Sequence, residues 1–410
     1  MSAAPPPEVQ ESHPQVRTGQ EGGLPDPRLD WTDRILDLDV GAVAHGGHCV
    51  ARHEGRVVFV RHALPGERVR AVVDEDSGGS FCRADAVAVL QASPDRVDPP
   101  CDWARAGGCG GCDLQHVSPD AQRRWKGDVL AEQLRHLAGL DLAVPVEELP
   151  GGQLGWRTRV RLAVDGEGRA GLRAHRSHDV IPIADWPLAP PGTLPDVLAA
   201  RHRAGREIEV TVGADGVVHT GAGRVPVRAA GRQWRLSPGV FWQVHPELAD
   251  TLATVVGEFA DAPPGGTAWD LYGGVGLFAA VLAEQVGRDG SVTVVESAQA
   301  AVDDGRAALA DLPQVGWRTG RVEKVLAGLP AEPDVVVADP PRKGLGRNMV
   351  DALAAAGPAR IVHVACDPAA LASDLALFAA RGYTLAQLRA FDAFPMTHHL
   401  ECVALLTRAQ

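Results

Sequence analysis

The chain has 410 residues, 45% hydrophobic and 22% charged, with a formal net charge of −12. At ~150 residues per domain that length allows two or three domains, each able to bury a core. Taken alone, an acidic balance argues against a nucleic-acid binder, since phosphate recognition is driven by Lys and Arg. No run approaches the ~18 apolar residues of a membrane span. The start, Met1-Ser-Ala-Ala-Pro-Pro-Pro-Glu8, lacks the charged and apolar regions of a secretory signal. Seven cysteines are too sparse and too odd in number for a disulfide framework, so a reducing cytoplasm is the expected setting. The basic residues are 37 Arg against 3 Lys (126, 324 and 343), a skew that reads as genomic base composition.

Residues 1–30 are rich in Pro, Gly, Gln and Glu and are expected to form a disordered tail. From 31 to 92 short alternating runs such as Arg56-Val-Val-Phe-Val-Arg61, with Gly46-Gly47 and Gly78-Gly79 between them, predict a small β-barrel. A Pro-rich linker (92–100) leads into a central region, 93–235, of mixed α+β character. It has a helical stretch from Pro119 to Leu140 and a strand-like run from Arg157 to Val164. From 236 to 410 apolar strands alternate with Ala-rich helical stretches, which predicts an open, mostly parallel α/β sheet. Its site is expected at the carboxyl ends of the strands.

Charge is spread unevenly over these parts. Arg157–Arg235 holds 13 Arg against 8 acids, a local +5, whereas 31–156 holds 13 bases against 19 acids and 236–410 holds 12 against 20. The basic block is either a nucleic-acid face or a solvated strand face; the whole-chain charge does not discriminate.

The chemistry-bearing residues lie at the strand ends of the last part. Asp270-Leu-Tyr-Gly-Gly-Val-Gly276 is a glycine turn between a strand and a helix, open to close approach by a ligand. Glu296 ends the next strand, where an acid accepts hydrogen bonds from the ribose hydroxyls of an adenosine cofactor. S-adenosylmethionine and a dinucleotide both satisfy that pattern. Asp339-Pro-Pro-Arg342 forms a rigid turn with bare carbonyls, suited to a planar substrate and unneeded by a nicotinamide enzyme; alternatively the prolines only end a strand. Cys366, after a strand and before a predicted helix from Ala369, is either a buried small hydrophobe or a nucleophile whose thiol pKa the helix lowers. Glu401 enters the last apolar strand and is a candidate general base.

Phe241-Trp-Gln243, the glycine turn, Glu296, Asp339-Pro-Pro-Arg342, Cys366-Asp-Pro368 and Phe394-Pro-x-Thr-x-His-x-Glu401, in this order, resemble the RNA uracil-5-methyltransferases. The resemblance covers nearly all the chain beyond residue 30. The barrel, with Phe59-Val60 and Leu64-Pro-Gly-Glu67, resembles a TRAM domain, an OB-like RNA-binding module. It implies a Rossmann-like methyltransferase domain, S-adenosylmethionine as cofactor, RNA as partner, and action as a monomer. It assigns Gln243, Tyr272, Glu296 and Asp339 to the cofactor, with Asp339 alternatively facing the base. Cys366 would add to uracil C6, C5 would take the methyl group, and Glu401 would remove the C5 proton before Cys366 leaves. By the same resemblance the barrel together with the cysteine loop tilts the expected substrate towards 23S ribosomal RNA over tRNA, although some barrel-bearing members act on tRNA. RNA cytosine C5, a small molecule, or a catalytically inactive assembly role are the competing functions.

Cys101, Cys109 and Cys112 have ligand-type spacing, with glycines between them. By the same resemblance these three and a fourth cysteine hold a [4Fe–4S] cluster. Trp186 stands at the fourth position. Three outcomes follow: a three-cysteine cluster, no cluster with Trp186 as packing, or zinc completed by His116 or Asp113. Cys49 and Cys82 fall within the predicted barrel and are expected to be core or incidental.

Overall fold

A computed structural model describes residues 30–221, 223–330 and 332–408; the predicted tail up to residue 29 lies outside the described residues. Five strands, β1 (Ile35–Ala44), β2 (His48–His53), β3 (Arg56–Arg61), β4 (Arg68–Asp76) and β5 (Phe81–Gln91), close into a barrel in the order β1-β2-β3-β5-β4. Alternation drives it: Leu36, Leu38 and Val40 point inward while Ile35, Asp37 and Asp39 are exposed. The Leu64-Pro-Gly-Glu67 segment has a mechanical role. Buried Glu67 accepts hydrogen bonds from the Leu64 and Ser93 amides and from the Arg96 guanidinium (2.6 and 2.7 Å), tying the barrel to the linker.

Helix α1 (Pro119–Gln133) follows, then β6 (Val146–Glu148). An antiparallel sheet is built from β7 (Arg159–Val164), β8 (Ala170–Arg173), β9 (Val180–Pro182), β10 (Glu207–Val212) and β11 (Val218–Thr220), with short α2 (Pro195–Ala199) between β9 and β10. The hairpin β12 (Val225–Ala229) and β13 (Arg232–Leu236) leads to α3 (Leu248–Ala260). The α/β part then runs β14 (Thr267–Leu271), α4 (Leu277–Val286), β15 (Ser291–Glu296), α5 (Gln299–Ala308), β16 (Val315–Thr319), α6 (Val322–Val325), β17 (Val335–Ala338), α7 (Gly346–Ala356), β18 (Arg360–Ala365), α8 (Pro368–Ala379), β19 (Tyr383–Asp392) and β20 (Glu401–Arg408).

The large sheet has the order β16-β15-β14-β17-β18-β20-β19-β6, parallel except for β20, which runs antiparallel to both neighbours. Val335–Ala338 is buried along its whole length, as a central parallel strand covered on both faces must be. The strand order reverses at β14, between β15 and β17, which opens a crevice at the carboxyl edge. No helix among the described residues is long and apolar enough to cross a membrane.

Packing ties parts of the 93–235 region to the sheet that follows it. The β12–β13 hairpin buries Val225, Val227, Trp234 and Leu236 in the same core as α3 and α4. On the opposite side of the sheet, Leu130, Leu134 and Val144 join the core that contains α7 and α8, and β6 pairs with β19. The central region is therefore one five-stranded sheet flanked by segments that complete the catalytic fold. Linear periodicity cannot reveal this, because the partner of β6 lies more than two hundred residues downstream.

Candidate active site

The glycine turn is set by sterics. Tyr272 adopts a left-handed backbone (φ 60°), and Gly276 (φ 80°) precedes α4. A Cβ at Gly273 would lie 2.6 Å from Val294 and 2.9 Å from the Asp270 carboxylate, so only glycine lets the turn close over the strand ends. Asp270 is fully buried beneath the turn, and burial pushes its acid up to about 8. Its Oδ2 accepts from the Ala279 amide at 2.9 Å, while Oδ1 has no partner among the described residues. Glu296 accepts from the Gly274 amide (3.1 Å) and the Ala298 amide (2.6 Å), which fixes its carboxylate beside the turn.

Tyr272, Glu296 and Asp339 thus stand at the ends of three neighbouring strands, β14, β15 and β17. Gln243 comes from the connection after β13. Its neighbour Trp242 packs on Trp234 with centroids 5.3 Å apart, and the Trp234 indole donates to the Val275 carbonyl of the glycine turn at 2.9 Å. The turn that accepts a close ligand, the carboxylate beside it and the unpartnered Asp270 oxygen fit an adenosyl cofactor.

Cys366 and Glu401 are brought together by sheet register. In the antiparallel pair β18–β20, Val364 faces Val403 and Ala365 faces Cys402. The ladder ends there, and Cys366 and Glu401 follow on the two strands, near enough for the Glu401 charge to oppose ionisation of the thiol. Glu401 is 4% exposed. Burial, then the charge of Asp339, raises its acid well above the ordinary carboxylate range, and burial raises Asp339 as well. Cys402 alternates onto the apolar side with Leu400, Ala404 and Leu406, away from the cleft that its neighbour Glu401 enters.

One expectation is reversed. The thiol of Cys366 is not lowered: burial pushes it up to about 12, with Glu401 and Asp339 adding to the effect and Arg342 opposing it. The helix end is spent elsewhere. Asp367 caps α8 by accepting from the Ala369 and Ala370 amides at 3.0 and 2.9 Å.

The loop between β19 and β20 is gripped by a part of the chain that the sequence did not connect with catalysis. Lys126 on α1 is buried and donates to Asp392 Oδ1 (2.5 Å) and the Phe394 carbonyl (3.1 Å). Gln122, one turn earlier, accepts from the Met396 amide at 2.8 Å. The Met396 carbonyl accepts from the Asp113 and Leu114 amides, both at 3.0 Å, and His398 bonds Asp113 at 2.6 Å. A signal was available: a buried amine in a chain with 37 Arg and 3 Lys is a site where a guanidinium was not used. Lys126→Met is expected to cost roughly 3–5 kcal/mol, since it strands the Asp392 charge in the core. Lys126→Met with Asp392→Leu should recover most of that loss. Urea unfolding of the two variants checks this; a single variant within about 1 kcal/mol of wild type would contradict it.

The cysteine loop does not fit the metal readings. Among the described residues no group of three or more His, Cys, Asp or Glu could hold a metal ion. The Trp186 ring lies 3.1 Å from where a Cβ on Gly111 would be, so the indole packs beside Cys112. The Cys112 sulfur accepts a hydrogen bond from Gln115 at 3.0 Å, and burial pushes its thiol up to about 12. Cys109, Cys112, Trp156, Trp186 and Leu188 share one apolar core. The loop is thus held by packing. Protein purified anaerobically is expected to be colourless and iron-free; visible charge-transfer absorption with stoichiometric iron would refute this.

The basic block is partly neutralised. Arg159 pairs with Glu209, and Arg161 and Arg173 both with Glu207. Arg203, Arg206, Arg228 and Arg235 have no ion pair among the described residues. Arg161, Arg173, His175 and Arg176 also line a groove against Gly110 and Gly111 of the cysteine loop.

A closed barrel is joined to a Rossmann-like sheet that carries a cysteine and a carboxylate at its carboxyl edge, and both parts match known families. The tRNA (uracil-5-)-methyltransferase family matches residues 331–409, and the TRAM domain family matches 34–87. The chain is 47% identical to an RNA methyltransferase of Streptomyces avermitilis, over 91% of this chain and 98% of the relative. It is 30% identical to the 23S rRNA (uracil(1939)-C(5))-methyltransferase of Shewanella amazonensis, over 90% and 95% of the two chains. Among solved structures, the Pyrococcus abyssi tRNA (uracil-54, C5)-methyltransferase, in complex with S-adenosyl-L-homocysteine, superposes with a TM-score of 0.68. That match has 21% identity and covers 90% of this chain and 99% of the other. The chain belongs to the S-adenosylmethionine-dependent RNA uracil-5-methyltransferases.

Proposed function

We propose that the enzyme methylates C5 of one uridine in a structured RNA, with 23S ribosomal RNA favoured over tRNA, through a covalent adduct of Cys366 with uracil C6. The observation that carries this reading is the end of the β18–β20 ladder, just beyond which a thiol and a buried carboxylate lie within each other's electrostatic reach at the edge of the cofactor crevice. Bound S-adenosylmethionine supplies the electrophilic methyl group. Tyr272, Glu296, Asp339 and Gln243 hold it, the acids by hydrogen bonding and the turn by close backbone approach.

The protein's own groups do the rest. Cys366 releases its thiol proton to solvent and adds as thiolate to C6, which breaks the C5–C6 double bond and leaves electron density at C5. After methylation C5 carries both the methyl group and its original proton. Glu401 takes that proton, the double bond re-forms, and Cys366 leaves as thiolate. A buried carboxylate is a stronger base than an exposed one, which suits removal of a carbon-bound proton. The base must leave its stack to reach this cleft, so a loop or a flipped nucleotide is the target. The barrel and the unpaired arginines of the 157–235 block supply the RNA-facing surface. The ribosomal preference rests on the barrel and on the Shewanella relative. The enzyme is expected to act as a cytoplasmic monomer.

The test is transfer of radiolabelled methyl to bulk RNA, ribosomal and transfer fractions separately, followed by nucleoside analysis. Label in 5-methyluridine of the ribosomal fraction supports the proposal. 5-Methylcytidine, or no label, overturns it.

A further inference from the structure

The barrel reaches the catalytic strand ends directly. His45, on the turn after β1, places Nε2 3.2 Å from Asp367 Oδ2. Asp367 immediately follows Cys366, and its other oxygen caps α8. Behind His45 the same barrel turn is seated on the segment that leads to Glu401. A Cβ on Gly47 would lie 3.0 Å from Asp113 and 3.3 Å from His398, and the His45 and His398 rings meet edge to face at 6.4 Å. His398 is held by Asp113, and His399 by Arg342 of the Asp-Pro-Pro-Arg turn at 3.2 Å. One barrel turn therefore touches the flanks of both reacting side chains.

We propose that His45 is a positioning residue of the active site: through Asp367 it holds the turn that carries Cys366, so that seating of the RNA-binding barrel and placement of the nucleophile are coupled. This rests on the assignment of Cys366 as nucleophile. Three features support it. The carboxylate it engages is the residue adjacent to the thiol, not a remote surface acid. That carboxylate has a second fixed role at the helix end, so moving it moves the Cys366 turn. The histidine side chain is 39% exposed, so its ion pair adds little to stability and its loss leaves a folded protein.

The experiment uses the full chain with His45→Ala and His45→Gln. The first readout is the rate of iodoacetamide alkylation at Cys366 in the absence of RNA, followed by peptide mass spectrometry. The second is steady-state methylation, resolved into kcat and KM for RNA. His45→Ala is expected to change the alkylation rate at Cys366 at least threefold and to lower kcat at least tenfold, with KM within about twofold of wild type. His45→Gln, which keeps a donor to Asp367, should restore most of both. A rise in KM alone, with unchanged kcat and alkylation, would mean that the barrel only binds RNA and would overturn the proposal. So would two variants indistinguishable from wild type. Alkylation needs neither RNA nor turnover, so an altered rate supports the positioning role even where Cys366→Ala retains methylation and the mechanism above fails.

Discussion

Cys366→Ser is expected to lose turnover by a factor on the order of 10⁴ or more while keeping RNA affinity within a few-fold of wild type. Uracil C5 is a poor nucleophile until C6 is saturated, and a serine hydroxyl in the same place ionises far less readily than a thiol. The site already makes ionisation hard, since burial and two carboxylates hold the thiol at about 12 in the free protein. Wild-type kcat/KM should therefore keep climbing with pH beyond the ordinary thiol value of about 8.5. Both Cys366 and Glu401 act deprotonated and both are raised, so the two contributions bend the profile the same way. Filter-binding for affinity and methyl incorporation for turnover separate the effects. More than a tenth of wild-type activity in Cys366→Ser would remove the covalent step.

The strand ends were legible because parallel strands announce themselves as short apolar runs with a polar or glycine residue at the close. Asp270, Glu296, Asp339 and Cys366 all sit at such closures. The barrel was equally visible through its period-two alternation. What the linear pattern could not show was adjacency across the sheet. That Cys366 comes near Glu401 depends on β20 inserting antiparallel between β18 and β19, a choice made by packing and not by local propensity. The grip of Lys126 on Asp392 spans 266 positions, and the His45–Asp367 contact joins a barrel turn to the far end of the chain. The thiol is raised by what surrounds it in space, burial first and then the charges of Glu401 and Asp339 from other strands, none of which the local sequence around Cys366 reveals. In the cysteine loop the sequence names Trp186 at the fourth position, and what it could not show is that this indole packs against the loop from a different segment.

Glu401→Gln is the sharper test of how the labour is divided between the two residues. The substitution keeps size and burial, removes the base, and removes the larger of the two charges that oppose ionisation of Cys366. Adduct formation should then be at least as fast as in wild type, while loss of the C5 proton slows by roughly 10²–10⁴-fold, the usual worth of a positioned general base. A methylated RNA–protein adduct should accumulate and survive denaturing electrophoresis, and mass spectrometry of the trapped peptide should find the methyl group already on the base. Stability should rise as well. A carboxylate raised by burial must be protonated or unpaired in the fold, so replacing it with a neutral amide removes a cost that grows as pH rises above its unfolded value near 4.3. The unfolding midpoint of Glu401→Gln should therefore exceed that of wild type by more at pH 8 than at pH 5. Turnover lost without any adduct would place Glu401 before the covalent step, as the group that receives the proton of Cys366 itself. A stabler protein that traps its substrate would identify Glu401 as a residue kept at the expense of the fold for the last chemical step.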